Sequence, residues 1–248
     1  VDYFNTHYIA KNTVVIVAGN INPDDIKAKT EKYFGNIRNG EPVAKLPVKE
    51  SQSGPKSLVH WKETDQAHFV LGLRTFNMFD ERKYALGLMA NILGGGMSSR
   101  LFSEVREKRG LAYYVSADST LYTDSGYLEI SAGVNKDKAH EALEVVLAEL
   151  RKLKDKGVTP DELQRSKDQM KGSLALFLEH SDNIANSYAS SVLFENKVLT
   201  PEEKLDKINK VTVDEINLIA KDFINNNLNF ALIGPFKSSE PFKKGLKL

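Results

Sequence analysis

The sequence contains no cysteine. Disulfides, thiolate metal sites and cysteine nucleophiles are excluded together. The compartment stays open, because a cysteine-free chain is stable on either side of a redox boundary. No apolar run approaches the ~18 residues that a membrane span requires, and no signal peptide is recognisable at the start. Net charge is also nearly absent: 34 Lys and Arg against 33 Asp and Glu leave +1. That balance speaks against nucleic-acid and membrane-surface partners. The charges alternate in sign along helical stretches, as they do on solvated faces. What is there is a chain of 248 residues, 41% hydrophobic and 27% charged, the make-up of a globular protein with a sizeable core. It opens Val1-Asp2-Tyr3-Phe4 without Met and reads as a processed product or a piece of a longer chain.

The patterning divides the chain. Residues 3–10 have helical spacing, and Thr13-Val14-Val15-Ile16-Val17-Ala18-Gly19 is a β-branched run that predicts a buried strand. Asn22-Pro23-Asp24-Asp25 starts a helix that reaches Tyr33-Phe34 and stops at Gly35. Pro42, Pro47 and Pro55, with Gly40 and Gly54, mark residues 39–56 as a linker. Strands are expected at 57–61 and 67–75, a helix at 80–93, another at 98–108, and a hairpin from 112–121 and 126–134. Helices follow at 137–156, 160–179, 182–195 and 212–225, then a strand at 229–233 and a loose basic tail from 236. Thr159-Pro160-Asp161-Glu162 is a capping box. Hairpin-linked strands beside grouped helices predict an α+β fold, a mostly antiparallel sheet with helices packed on one face. The runs 12–19 and 227–234 both follow a helix and both end in Gly, which suggests two related units, the first incomplete.

Chemistry-bearing patterns are sparse. The five histidines, His7, His60, His68, His140 and His180, include no pair at the i,i+4 spacing of a helical zinc motif. His60-Trp61-Lys62-Glu63-Thr64 has Thr where a second His would stand, and His140-Glu141-Ala142-Leu143-Glu144 has Glu there. No Gly-x-Ser-x-Gly elbow is present. Gly94-Gly95-Gly96 lacks the Lys-Ser/Thr of a phosphate loop, so it reads as a hinge between helices. One segment stands out, Ser98-Ser99-Arg100-Leu101-Phe102-Ser103-Glu104-Val105-Arg106-Glu107-Lys108-Arg109-Gly110-Leu111-Ala112-Tyr113-Tyr114. It reads as a capped helix ended by Gly110, with Arg106 in the last turn and Tyr113 at the start of a strand. A guanidinium and a phenol at one edge suit peptide carbonyls or a developing oxyanion. A dipole-matched Arg and a core Tyr would give the same pattern.

The stretch from Leu93-Gly94-Gly95-Gly96-Met97-Ser98-Ser99-Arg100-Leu101-Phe102 through Val105-Arg106-Glu107-Lys108 to Gly110-Leu111-Ala112-Tyr113 resembles the second-domain signature of the pitrilysin/insulinase-type zinc metallopeptidases. That family includes mitochondrial processing peptidase and bacterial processing proteases. Phe4 to Tyr8, the run 12–20 and Tyr33-Phe34-Gly35 resemble the end of the family's first domain. The resemblance implies the LuxS/processing-peptidase-like metallohydrolase fold. It also implies that residues 1–38 are the C-terminal remnant of a preceding, metal-carrying domain, and that 57–248 form a substrate-binding second domain. Arg106 and Tyr113 match the family's Arg and Tyr that hold substrate. The inverted zinc motif, His-x-x-Glu-His, matches nothing, so no catalytic or metal residue is assigned in this chain. Zinc belongs to the complete enzyme, on an N-terminal half in cis or in trans. The expected partners are therefore peptide substrate, that zinc-carrying half and, for the apolar surface of residues 1–38, another copy of the chain or the second domain. The alternative is a non-catalytic binding or assembly subunit of the same fold.

Overall fold

Ala67, Phe69, Leu71 and Leu73 are buried, while His68, Val70, Gly72 and Arg74 between them are not. This period of two decides the architecture, since a strand so patterned must lay one face on a core and leave the other open. A computed structural model describes residues 1–195 and 197–248. The elements in order are α1 (Asp2–His7), α2 (Pro23–Phe34), β1 (Lys56–Trp61), β2 (Gln66–Thr75), α3 (Lys83–Gly94), a π-helix (Phe102–Glu107), β3 (Ala112–Leu121), β4 (Gly126–Asn135), α4 (Ala139–Lys156), α5 (Pro160–Phe177), α6 (Ser181–Ser190), α7 (Pro201–Lys210), α8 (Val213–Phe223), β5 (Asn229–Gly234) and α9 (Glu240–Gly245). They group into two units, residues 1–47 with 169–206, and residues 48–168 with 207–248.

The larger unit is a five-stranded sheet in the order β1-β5-β2-β4-β3. Only the β1–β5 pair is parallel, so the expected α+β class with a mostly antiparallel sheet is what forms. Helices α3, α4 and α8 cover one face, burying Leu86, Met89, Leu93, Val146, Leu150, Ile216 and Ile219 against it. The end of α3 lies directly on β3: a Cβ at Gly94 would stand 2.2 Å from the Ala117 nitrogen. Residues 48–52 are tied to the sheet. Val48 N donates to Asp124, Arg74 pairs with Glu50, and Gln52 bonds both the Leu228 carbonyl and Asn229. Among the described residues no helix is long and apolar enough to cross a membrane.

The smaller unit is helical. Asn22 caps α2 by accepting from the nitrogens of Asp24 and Asp25, with Pro23 at the first position, as its sequence predicts. Ile9 is buried, Ala10 N donates to the Arg38 carbonyl, and Arg38 donates back to the Asn5 carbonyl. The run 13–19, expected as a buried strand, forms no ladder. A strand needs a paired neighbour for its N–H and C=O groups, and this unit contains no strand among the described residues. Val15 and Val17 are accordingly exposed.

Two further expectations change. The segment from residue 236, expected as a loose basic tail, is packed: α9 buries Phe242 completely and Leu246 almost so. Phe242 stacks on His140 at 3.8 Å and meets Phe230 and Phe236 at 5.4 and 5.1 Å. Two apolar anchors among lysines are enough to dock a short helix, and composition alone hides them. Helix α7 goes unpredicted, although Thr200-Pro201-Glu202-Glu203 repeats the start signal of α5, with the Thr200 and Glu203 side chains bonding each other's backbone nitrogens.

The turn that follows α3 is wider than expected. An α-helical entry at Arg100 and Leu101 passes into the π-helix, where Lys108 N donates to the Ser103 carbonyl. Such a turn holds one extra residue and offsets the side chains that follow. Gly110 closes it at φ +59°, a conformation that disfavours a side chain. Leu111 N then bonds back to the Val105 carbonyl. Glu104 clamps the turn from outside, accepting from Lys108 at 2.6 Å and from Arg109, which also reaches the Glu104 carbonyl at 2.7 Å.

Two outcomes follow from this packing. Phe242→Ala is expected to cost about 3–5 kcal/mol, as for other buried Phe truncations, measured by chemical denaturation. The Glu104 carboxyl is held near 2, against an ordinary 4.5, by hydrogen bonds from Lys108 and then Arg109. A depressed folded value contributes stability that is complete above 4.5 and is lost as pH falls toward 2. Thermal melts of wild type and Glu104→Gln should therefore differ by about 1 kcal/mol or less near neutrality and converge below pH 4.5.

Candidate functional site

The site is built on the passage from the π-helix to β3. Four cations lie in it, and three are engaged within the protein. Arg100 donates to both carboxylate oxygens of Glu162 at 2.7 and 2.8 Å and to the Gly157 carbonyl at 2.8 Å, a bidentate pair that anchors the helix entry. Lys108 and Arg109 are held by Glu104. Arg106 is exposed and lies over the Phe102 ring at 5.1 Å. Among the described residues it makes no ion pair and no side-chain hydrogen bond.

Tyr113 owes its position to a β-bulge. Ala112 is opposite Val134 and Tyr114 is opposite Gly133, so Tyr113 is the extra residue on β3. A bulge re-aims side chains at a strand end, and here it leaves two consecutive tyrosines exposed, Tyr113 by 53%. The Tyr113 hydroxyl has no hydrogen-bond partner among the described residues. Arg106 and Tyr113 thus sit on either side of Gly110, on elements that pack against each other. One offers guanidinium donors and the other a phenol, which suits carbonyl oxygens or developing negative charge.

Beside this edge lies the open face of the sheet. A groove of about 530 Å³ runs over Leu58, Val70, Gly72, Tyr127 and Ala231, with Lys56 and Glu129 on its rim. Its apolar floor follows from the register, which sets Leu58, Ala231 and Val70 in one row.

A zinc ion does not fit the residues present. Among those described, no three His, Asp or Glu side chains converge, fewer than a protein zinc site uses. The histidines are dispersed. His7 stacks on Tyr3 at 4.4 Å, His60 is on β1, His68 bonds Tyr114, His140 is stacked on Phe242, and His180 precedes α6. The two near-motifs at His60 and His140 are thus a strand residue and a packing residue. The spacing of residues did not reveal the His68–Tyr114 bond, because only the pairing of β2 and β3 on either side of β4 brings these residues together.

Comparison with known proteins agrees with this architecture. The family described as Peptidase M16 inactive domain matches residues 1–170, more than half of the chain. A Bacillus subtilis protein named an uncharacterized zinc protease is 36% identical over 233 residues, 94% of this chain and 56% of that protein. The crystal structure of a protease from Helicobacter pylori has a TM-score of 0.79 at 23% identity, covering 88% of this chain and 54% of that one. A peptidase M16 inactive domain from Pseudomonas fluorescens has the same TM-score at 22% identity, covering 89% and 52%. The two structures share the fold, and the chain spans about half the length of the curated relatives it matches. The chain belongs to the peptidase M16 family, whose relatives are named zinc proteases, and its match there is to the inactive domain.

Proposed function

We propose that this chain is the C-terminal, substrate-holding part of a zinc-dependent endopeptidase. Arg106 and Tyr113 bind the peptide main chain, and the zinc site lies on an N-terminal half supplied in cis or in trans. One observation carries the reading. Of the four cations between Arg100 and Arg109, three are engaged by carboxylates or carbonyls, and Arg106 alone is kept exposed without a polar partner among the described residues. A scaffold has no use for such a residue beside an unpartnered phenol. A peptide does, because its carbonyl oxygens accept from both and need no particular side chain.

The division of the chain follows the same reading. On this proposal residues 1–38 belong to the preceding, metal-carrying domain, 39–56 lead from it into the sheet, and 57–248 carry the substrate-binding domain, whose sheet lies in the unit of residues 48–168 and 207–248. The apolar surface of Val15, Val17, Tyr33 and Phe34, exposed here, is then the surface that pairs with another copy of the chain or with the second domain. The alternative, a non-catalytic binding or assembly subunit of the same fold, leaves Arg106 and Tyr113 without a task.

The test joins this chain to a zinc-carrying half of a relative and follows hydrolysis of fluorescein-labelled casein. Arg106→Ala is expected to lower kcat/KM by roughly 10- to 100-fold, the range for hydrogen bonds to charged groups, and Tyr113→Phe by a smaller factor. Both residues are exposed, so melting temperatures should stay within a degree or two. Unchanged kcat/KM in both variants would remove the assignment.

A further inference from the structure

The open face holds a phenol–imidazole pair that is distinct from Arg106 and Tyr113. The register puts His68 opposite Gly133 and Gly133 opposite Tyr114. Residues on β2 and β3 are two strand spacings apart, about 10 Å between backbones. Their side chains meet because the strand between them carries none at that point. The Tyr114 hydroxyl lies 3.1 Å from His68 Nδ1, with ring centroids 5.9 Å apart and planes at 28°. A Cβ at Gly133 would stand 2.3 Å from Tyr114 Cε1 and 3.1 Å from His68 Nδ1.

Burial does not account for this pair. Tyr114 is 44% exposed and His68 is exposed too. No core is filled by it, and an exposed hydrogen bond between neutral groups adds little stability. Its neighbours on the face are uncharged: Ile233 beside His68, and Val70, Ser131 and Ser116 in the next row. The effect of the bond is orientation, since it fixes the phenol oxygen of a residue adjacent to Tyr113.

We propose that Tyr114 is a second phenol that contacts the main chain of a bound peptide, and that His68 is the residue positioning it. This rests on the assignment of Arg106 and Tyr113 to peptide. The chemistry favours main chain over side chain in either tautomer. When His68 Nδ1–H donates to the phenol oxygen, the Tyr114 O–H is left to donate to a peptide carbonyl. When Nδ1 accepts the phenol proton, the phenol oxygen accepts from a peptide N–H. One polar position on Tyr114 always remains, and every residue of an extended peptide can fill it. The preferred ligand is thus an extended segment of any sequence, held through its amides.

The experiment titrates this chain, carrying isotope-labelled His and Tyr rings, with an unstructured decapeptide blocked at both ends, and follows the ring signals by NMR. The peptide should shift the His68 and Tyr114 signals. His68→Ala and Tyr114→Phe should each weaken binding about fivefold, the worth of one ordinary hydrogen bond. His68→Gln, whose amide can bond the phenol, should restore most of it. Gly133→Ala should weaken binding similarly by displacing the Tyr114 ring while leaving both polar groups present. Should Gly133→Ala not fold, Tyr114→Phe decides, because its exposed hydroxyl is the one group removed. No shift at millimolar peptide, or wild-type affinity in His68→Ala and Tyr114→Phe, overturns the proposal. Arg106→Ala and Tyr113→Phe run in parallel separate the two assignments. If they lose affinity and the His68 and Tyr114 variants do not, the pair alone is misassigned. If they bind as wild type while the His68 and Tyr114 variants lose affinity, the pair stands and the Arg106–Tyr113 assignment fails.

Discussion

The larger unit depends on a sheet that is buried on one side only. Helices α3, α4 and α8 take the side chains of every second residue, and the residues between are released from packing. That release permits the open face to hold a groove and the His68–Tyr114 pair. The same constraint explains the close contacts. Gly94 lets α3 rest on the backbone of β3, and the segment from Arg100 to Tyr114 must then turn within a few residues to rejoin the sheet. A π-helix, a left-handed Gly110 and a bulge at Tyr113 are the local irregularities by which it does so. Irregularities of this kind cluster where side chains are aimed at something other than the core.

Electrostatics in that turn divides labour among like residues. Arg100, Lys108 and Arg109 are chemically suited to the same carboxylates as Arg106, and they take Glu162 and Glu104. Glu162 is largely withdrawn from water and takes Arg100; Glu104 takes the other two. Both of these carboxylates are thereby engaged, and the Arg106 guanidinium is left without an ion pair among the described residues. The free guanidinium is as much a product of its neighbours' pairing as of its own position.

Much of this was legible in the sequence. The five strands of the sheet and most helices follow from alternation, caps and turn residues, and Arg106 and Tyr113 stand out through a long motif. What escaped did so for physical reasons. Residues 13–19 have every local feature of a strand, but a strand is a property of two segments, and the described structure gives this one no partner. Phe242 and Leu246 lie among lysines, where two buried side chains hardly change composition. The His68–Tyr114 bond joins residues 46 apart in sequence, through a register that no local pattern encodes. The π-helix reads as an α-helix, because one extra residue in a turn leaves the apolar spacing of Leu101, Phe102 and Val105 intact.

Strand β5 lies between β1 and β2, parallel to one and antiparallel to the other. Among the described residues it is the only strand that β1 pairs with, yet it is made long after β1. On a ribosome, β3 and β4 can form a hairpin and β2 can join it along β4, while β1 waits, its polar backbone hydrated and its place in the sheet empty. The register of β1 is set only when β5 emerges and slides between two segments synthesised some 150 residues earlier. A nascent chain stalled before that point would expose two unpaired strand edges at once, and these are the surfaces on which chaperones and aggregation compete.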